Sequence, residues 1–120
     1  MMEVKIYNFI NLDYLDMMSD GDLEMKKVML DMLFEELPTE LTKMRELANA
    51  GDWKELSSVA HKMKSTLSFV GCDVMTTANT DIETICKDVD DISKISTNME
   101  ILESNLDNVM TELKMEHAKL

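Results

Sequence analysis

With 120 residues, the chain has room for one compact domain with a substantial core and too little for a comfortable second one. Its 24 acidic and 12 basic residues give a net charge of -12, which repels nucleic-acid phosphates and anionic membrane surfaces and so argues against both as partners. No run approaches the roughly 18 apolar residues of a membrane span, and no basic region followed by an apolar stretch opens the chain, so a reducing cytoplasm is the expected setting.

Only three glycines and one proline punctuate the chain, while Leu, Met, Lys and Glu abound, which predicts an all-α protein rather than a sheet rich in tight turns. Asn11 is placed to cap a short helix from about Leu12 to Met18, and Ser19-Asp20-Gly21-Asp22 supplies the turn and cap that follow. A long helix is predicted from Leu23 to about Asn49, where Val28, Met29, Met32, Leu33, Leu37, Leu41, Met44, Leu47 and Ala48 keep mostly three- and four-residue steps. Pro38 lacks an amide donor and crowds the preceding turn, which predicts a kink or break there.

Ala50-Gly51 reads as a helix end, and Asp52 with Glu55 has capping-box spacing for a third helix that runs to Val70 and stops at Gly71. Asp73 is placed to cap a fourth helix with Val74, Met75, Ala78, Ile82, Ile85 and Cys86 inward, ending around Asp88 to Asp91. A last helix, from Ser93 or Ser96 to the C-terminus, carries the stripe Ile95, Met99, Leu102, Leu106, Val109, Leu113. Four substantial amphipathic helices with short connections predict an antiparallel four-helix bundle, with the additional short N-terminal helix across one end. Cys72 and Cys86 have no metal-ligand or redox spacing and read as buried free thiols, while the thirteen methionines suit a core filled by flexible side chains.

On the third helix, Trp53, Leu56, Ala60, Met63, Leu67 and Val70 share one stripe, which predicts the core face. His61 lies roughly 130° from the centre of that stripe and is therefore expected on the outer surface. Ser57, Lys64, Ser65 and Ser68 fall one or two turns away on the same side. A free imidazole keeps a useful neutral fraction near neutral pH and can act as a nucleophile without an activating base. If it accepted a phosphoryl group, a cation one turn away would offset the new charge and hydroxyls would donate to its oxygens, with Lys64 and Ser65 the first candidates. A histidine on the outside of an amphipathic helix is ordinarily just a solvated residue, and spacing alone does not separate the two readings.

The segment Ala60-His61-Lys62-Met63-Lys64-Ser65-Thr66-Leu67-Ser68-Phe69-Val70-Gly71 resembles the histidine-phosphotransfer (HPt) family, whose Ala-His pair is followed by Lys three positions on and Gly ten positions on. Upstream, Phe34-Glu35-Glu36-Leu37-Pro38 and Ala50-Gly51-Asp52-Trp53 resemble the family's approach to its active helix, and Ile82-Glu83 downstream resembles its hydrophobic-acidic pair. The likeness extends from about Leu12 onward. It implies a four-helix phosphorelay intermediate with His61 as phosphoacceptor, Lys64 as supporting cation, and Glu83 near the imidazole. A carboxylate there would accept the Nδ1 proton and leave Nε2 free to attack. Ser65 departs from the glycine usual in the family four residues after the histidine, and its hydroxyl is expected to bond back along the helix, altering partner preference.

The resemblance further implies response-regulator receiver domains and a hybrid sensor histidine kinase as partners, with the magnesium that assists transfer held by the receiver. No metal, cofactor or kinase activity of the chain's own is expected, nor a phosphate-cradling glycine loop for ATP. Phe69, Leu15, Met17 and Met18 are candidates for an apolar docking patch, against their ordinary reading as core. His117, beside Lys114 and Lys119 at the end of the last helix, is given no catalytic role. One 1–120 domain, free-standing and monomeric so that the histidine face stays open, is the expectation. The rival reading is a non-phosphorylated helical adaptor that binds receivers. A di-metal carboxylate enzyme would need paired Glu-x-x-His motifs, which the sequence lacks.

Overall fold

The computed structural model of the chain describes residues 7–88 and 91–120. These form five helices and, among the described residues, no strand: α1 (Asp13–Ser19), α2 (Leu23–Ala50), α3 (Trp53–Val70), α4 (Asp73–Asp88) and α5 (Ser93–His117). The ends follow the local chemistry of the sequence. Asn11 Oδ1 accepts from the Asp13 amide at 2.9 Å, Asp22 Oδ1 from the Met25 amide at 3.0 Å and Asp52 Oδ1 from the Glu55 amide at 3.2 Å, each relieving a donor with no partner inside its helix. Gly51 and Gly71 close α2 and α3 with φ of 70° and 69°.

Three local expectations are corrected. Asp73 does not cap α4: the Cys72 carbonyl takes the first helical bond, from Thr76 at 3.0 Å, and Asp73 lies in the first turn, where a carboxylate still favours the helix dipole. Pro38 does not break α2, which runs unbroken for 28 residues. Proline withdraws a single amide from the ladder, and the packing of both flanks holds the helix together. Val28, Met32 and Val74 are exposed rather than inward. In α2 the buried line is Leu30, Leu33, Leu37, Leu41 and Met44, and Val28 and Met32 fall on its uncovered flank.

α2, α3, α4 and α5 pack in a ring, each on the next and α5 back on α2. Two-residue links from α2 to α3 and from α3 to α4 force neighbouring helices to run in opposite directions. Lys26 near the start of α2 reaches Glu116 near the end of α5, and Arg45 further along α2 pairs with Glu103 earlier in α5, so these two are antiparallel as well. The shared core holds Leu30, Leu37, Met44, Leu56, Met63, Leu67, Met75, Ile82, Met99, Leu102 and Leu113, all essentially sealed from solvent. Truncating one such Leu or Met to Ala costs about 2–5 kcal/mol. No described helix is long and apolar enough to cross a membrane.

Residues 7–12 strap α1 onto the bundle. Glu112, buried in α5, accepts from three successive backbone amides: Asn8 at 2.9 Å, Phe9 at 2.8 Å and Ile10 at 3.1 Å. The Asn11 amide donates to the Val70 carbonyl at 3.0 Å, and Tyr7 Oη donates to Glu116 Oε1 at 2.6 Å. Lys26 joins Asp16 of α1 to Glu116 of α5, at 2.7 Å from each. The strap lies so close over the α3–α4 turn that a Cβ on Gly71 would overlap the Asn11 carbonyl. His117 also has a structural role: its Nε2 is 3.0 Å from Asp31 Oδ1 and its ring lies against Phe34.

Candidate functional site

The core stripe of α3 comprises Leu56, Val59, Ala60, Met63, Leu67 and Val70, with Trp53 only half-buried. Burying that face turns His61 outward, and its side chain keeps 68% of its full exposure. α4 packs beside it and presents Glu83, a carboxylate that is only 3% exposed.

Glu83 brings the site together. Its Oε2 lies 2.9 Å from His61 Nδ1 and its Oε1 2.6 Å from Lys64 Nζ. Lys87, one turn further along α4, adds a third contact, Nζ to Oε2 at 3.1 Å. Lys64 pulls the Glu83 carboxyl down most strongly; burial pushes the other way, and His61 and Lys87 add to the lowering, which leaves the group at about 2. At neutral pH Glu83 is therefore an anion with acceptors only, so the hydrogen between it and His61 belongs to Nδ1. In the neutral ring, the second nitrogen, Nε2, then keeps its lone pair, directed away from this contact. Such an arrangement supplies an exposed, oriented nucleophile with two lysine ammonium groups close by.

Of the residues singled out in the sequence, His61, Lys64 and Glu83 come together in this cluster. The three serines do not bond to it among the described residues. Ser68 Oγ donates back to the Lys64 carbonyl at 2.8 Å. Ser65 is exposed and makes no such bond back along the helix, contrary to expectation, and Ser57 is half-buried one turn before His61. Lys87 was missed, although its four-residue spacing from Glu83 on one helix is a legible ion-pair signal. Asn79 was also missed: it is buried, and its Nδ2 donates to the Ala60 carbonyl at 2.8 Å.

The suggested docking patch is redrawn. Leu15 is fully buried and belongs to the core, and Phe69 is half-buried against Tyr14, with ring centroids 5.2 Å apart. Met17 and Met18 are exposed on α1, together with Tyr14. A cavity of about 530 Å³ opens between the 8–11 strap, Tyr14 and the start of α4, and His61 is not among its walls. The His61 ring is exposed on the outer face of α3.

The family model for the Hpt domain matches residues 28–116, which spans α2 from its second turn through nearly all of α5. No curated protein and no solved structure matches the chain significantly. The match covers most of the sequence, includes every residue of the His61–Lys64–Glu83–Lys87 cluster, and agrees with the helical bundle on which that cluster is built. The chain belongs to the Hpt domain family, with a phosphotransfer role in two-component signalling.

Proposed function

We propose that this chain, acting as one domain, carries a phosphoryl group on His61 between response-regulator receiver domains, with a hybrid sensor histidine kinase upstream. The observation that carries the reading is the exposed imidazole whose Nδ1 is tied to an ionised, buried carboxylate. The Nε2 lone pair attacks the phosphorus of a receiver's aspartyl phosphate. An N–P bond forms, the P–O bond to the aspartate breaks, and the aspartate departs with the electron pair. The ring becomes cationic as its lone pair is spent, and Glu83 stabilises it through the retained Nδ1 proton. Lys64 and Lys87 offset the charge of the arriving phosphoryl oxygens. The reverse sequence delivers the group to a second receiver.

Hpt domains are phosphocarriers without kinase activity, and their partners are receivers and kinases. An exposed site suits a receiver that brings its own acidic, metal-holding cleft. Tyr14, Met17 and Met18 on α1 form an exposed apolar border for docking, and Ser57, Ser65 and Ser68 supply small polar surface around the histidine. We assign a monomer, since this face has to open to a partner, and a reducing cytoplasm, which suits the two free cysteines, Cys72 and Cys86. The non-phosphorylated adaptor keeps one specific argument, the exposed Ser65 beside His61.

Incubation with a phosphorylated receiver domain tests the reading. Acid-labile phosphate should appear on the wild-type protein and not on His61→Gln. A folded wild-type protein that binds several phosphorylated receivers without taking label would leave the adaptor in its place.

A further inference from the structure

Asn79 is one of two polar side chains buried on α4, the other being Glu83. It is 1% exposed, on the face of α4 that packs against α3, where the apolar inward positions are Met75, Ala78, Ile82 and Cys86. Its Nδ2 donates to the Ala60 carbonyl at 2.8 Å, while Oδ1 has no hydrogen-bond partner. Burying an amide with its acceptor unmet costs stability, and an apolar side chain there would avoid that cost. What the amide adds is a single directed donor.

That donor acts at a particular place. The Ala60 carbonyl belongs to the peptide that joins Ala60 to His61, and it is also the helical acceptor for the Lys64 amide one turn on. Asn79 and Glu83 are four residues apart on α4 and share a face, so two polar tethers cross the α3–α4 seam one helical turn apart on α4. The inner one fixes backbone to side chain out of reach of water. The outer one joins Glu83 to a ring on the solvent side. For one carboxylate to meet both His61 Nδ1 and Lys64 Nζ, α3 has to keep its rotation and height against α4, and apolar contacts alone specify such a register loosely.

We propose that Asn79 is a positioning residue for His61: its bond to the Ala60 carbonyl locks the α3–α4 register that keeps Glu83 on Nδ1 and thereby holds the imidazole in its Nδ1–H tautomer. The consequence for phosphoryl transfer rests on the function proposed above; the tautomer does not. Asn79 touches no reacting atom and acts through the helix seam.

The experiment compares wild type with Asn79→Leu, Asn79→Ala and Glu83→Ala, the last as a reference for loss of the acceptor. Long-range proton–nitrogen NMR of histidine-labelled protein, at about pH 8.5 where a free imidazole is neutral, reads the tautomer of His61, with His117 as an internal control. Thermal melting and transfer from a phosphorylated receiver are recorded on the same samples. In both Asn79 variants, the His61 nitrogen shifts should move toward those of Glu83→Ala, with the melting temperature kept or raised in the leucine variant. Transfer should slow by about ten-fold. Wild-type His61 shifts in both Asn79 variants overturn the proposal, as does a lowered melting temperature with slower transfer and an unchanged tautomer, which would mark Asn79 as merely structural. Should the wild type take no phosphoryl group, the proposed function fails, and the NMR comparison alone decides the role of Asn79.

Discussion

His61 and Glu83 meet at 2.9 Å although one side chain is 68% exposed and the other 3%, so the contact joins a solvent-facing ring to a carboxylate rooted in the α3–α4 seam. A surface histidine otherwise samples several rotamers and both neutral tautomers. Here the buried partner favours the rotamer and tautomer that place Nδ1–H on Glu83. Glu83→Ala should therefore slow phosphoryl transfer by about ten-fold, while Glu83→Gln, whose amide oxygen still accepts from Nδ1, should lose less. Single-turnover transfer from a phosphorylated receiver measures both. Equal rates in all three proteins would remove Glu83 from the mechanism.

The same carboxylate links stability to pH. Its folded value of about 2 lies below the ordinary 4.5, so it favours the folded state wherever it is ionised, and that contribution is complete above about pH 4.5. As acid is added it is lost progressively as the pH falls through about 2. A shift of this size corresponds to at most about 3 kcal/mol, less the screening of its exposed partners. The stability advantage of wild type over Glu83→Gln, from denaturant midpoints, should stay level from pH 7 down to about 4.5 and then decline toward pH 2. A difference that is constant over that lower range would mean that Glu83 is not held by Lys64, His61 and Lys87 in solution.

Glu112 is expected to matter to the strap alone. Replacing it by Ala leaves the Asn8, Phe9 and Ile10 amides without their acceptor. Local detachment of residues 7–12 is cheaper than keeping those donors buried. The expected cost is about 3 kcal/mol, with fast hydrogen exchange confined to the strap and α1. Protection that stays at the wild-type level in those amides would show that the strap is held by Tyr7, Ile10 and Leu12 instead.

The frame of this molecule was largely legible in its sequence because it is written in short-range signals. The glycines at 51 and 71, the carboxylates at 22 and 52, and the stripe through Leu56, Met63 and Leu67 each act within a turn or two, and together they put His61 outside. Lys64 follows from its one-turn spacing to His61 and Glu83 from the family pattern, and the structure brings them together. The errors share a different cause. Val28 and Met32 satisfy the same three- and four-residue rhythm as Leu30 and Leu33, and only the position of the neighbouring helices decides which line is covered. Lys26, Asn79 and Glu112 are polar residues buried by partners 19 to 104 positions away, and no local pattern announces which carboxylate or amide a distant backbone will meet. At Pro38 the break half of the expectation fails in the opposite direction, a strong local signal outweighed along a continuous 28-residue helix.

The exposure of His61, outside the walls of the cavity between the strap and the start of α4, also bears on inhibition. A small molecule gains affinity by being surrounded, and the protein leaves most of this side chain open to solvent. The missing walls belong to whichever domain docks. Chemistry aimed at the isolated protein has a ridge to cover rather than a hole to fill, which favours a large flat binder such as a small helical protein over a compact drug. Under the proposed function, discrimination among receivers falls to the rim of exposed side chains around the ring, and surface substitutions there redirect partner choice without touching the imidazole.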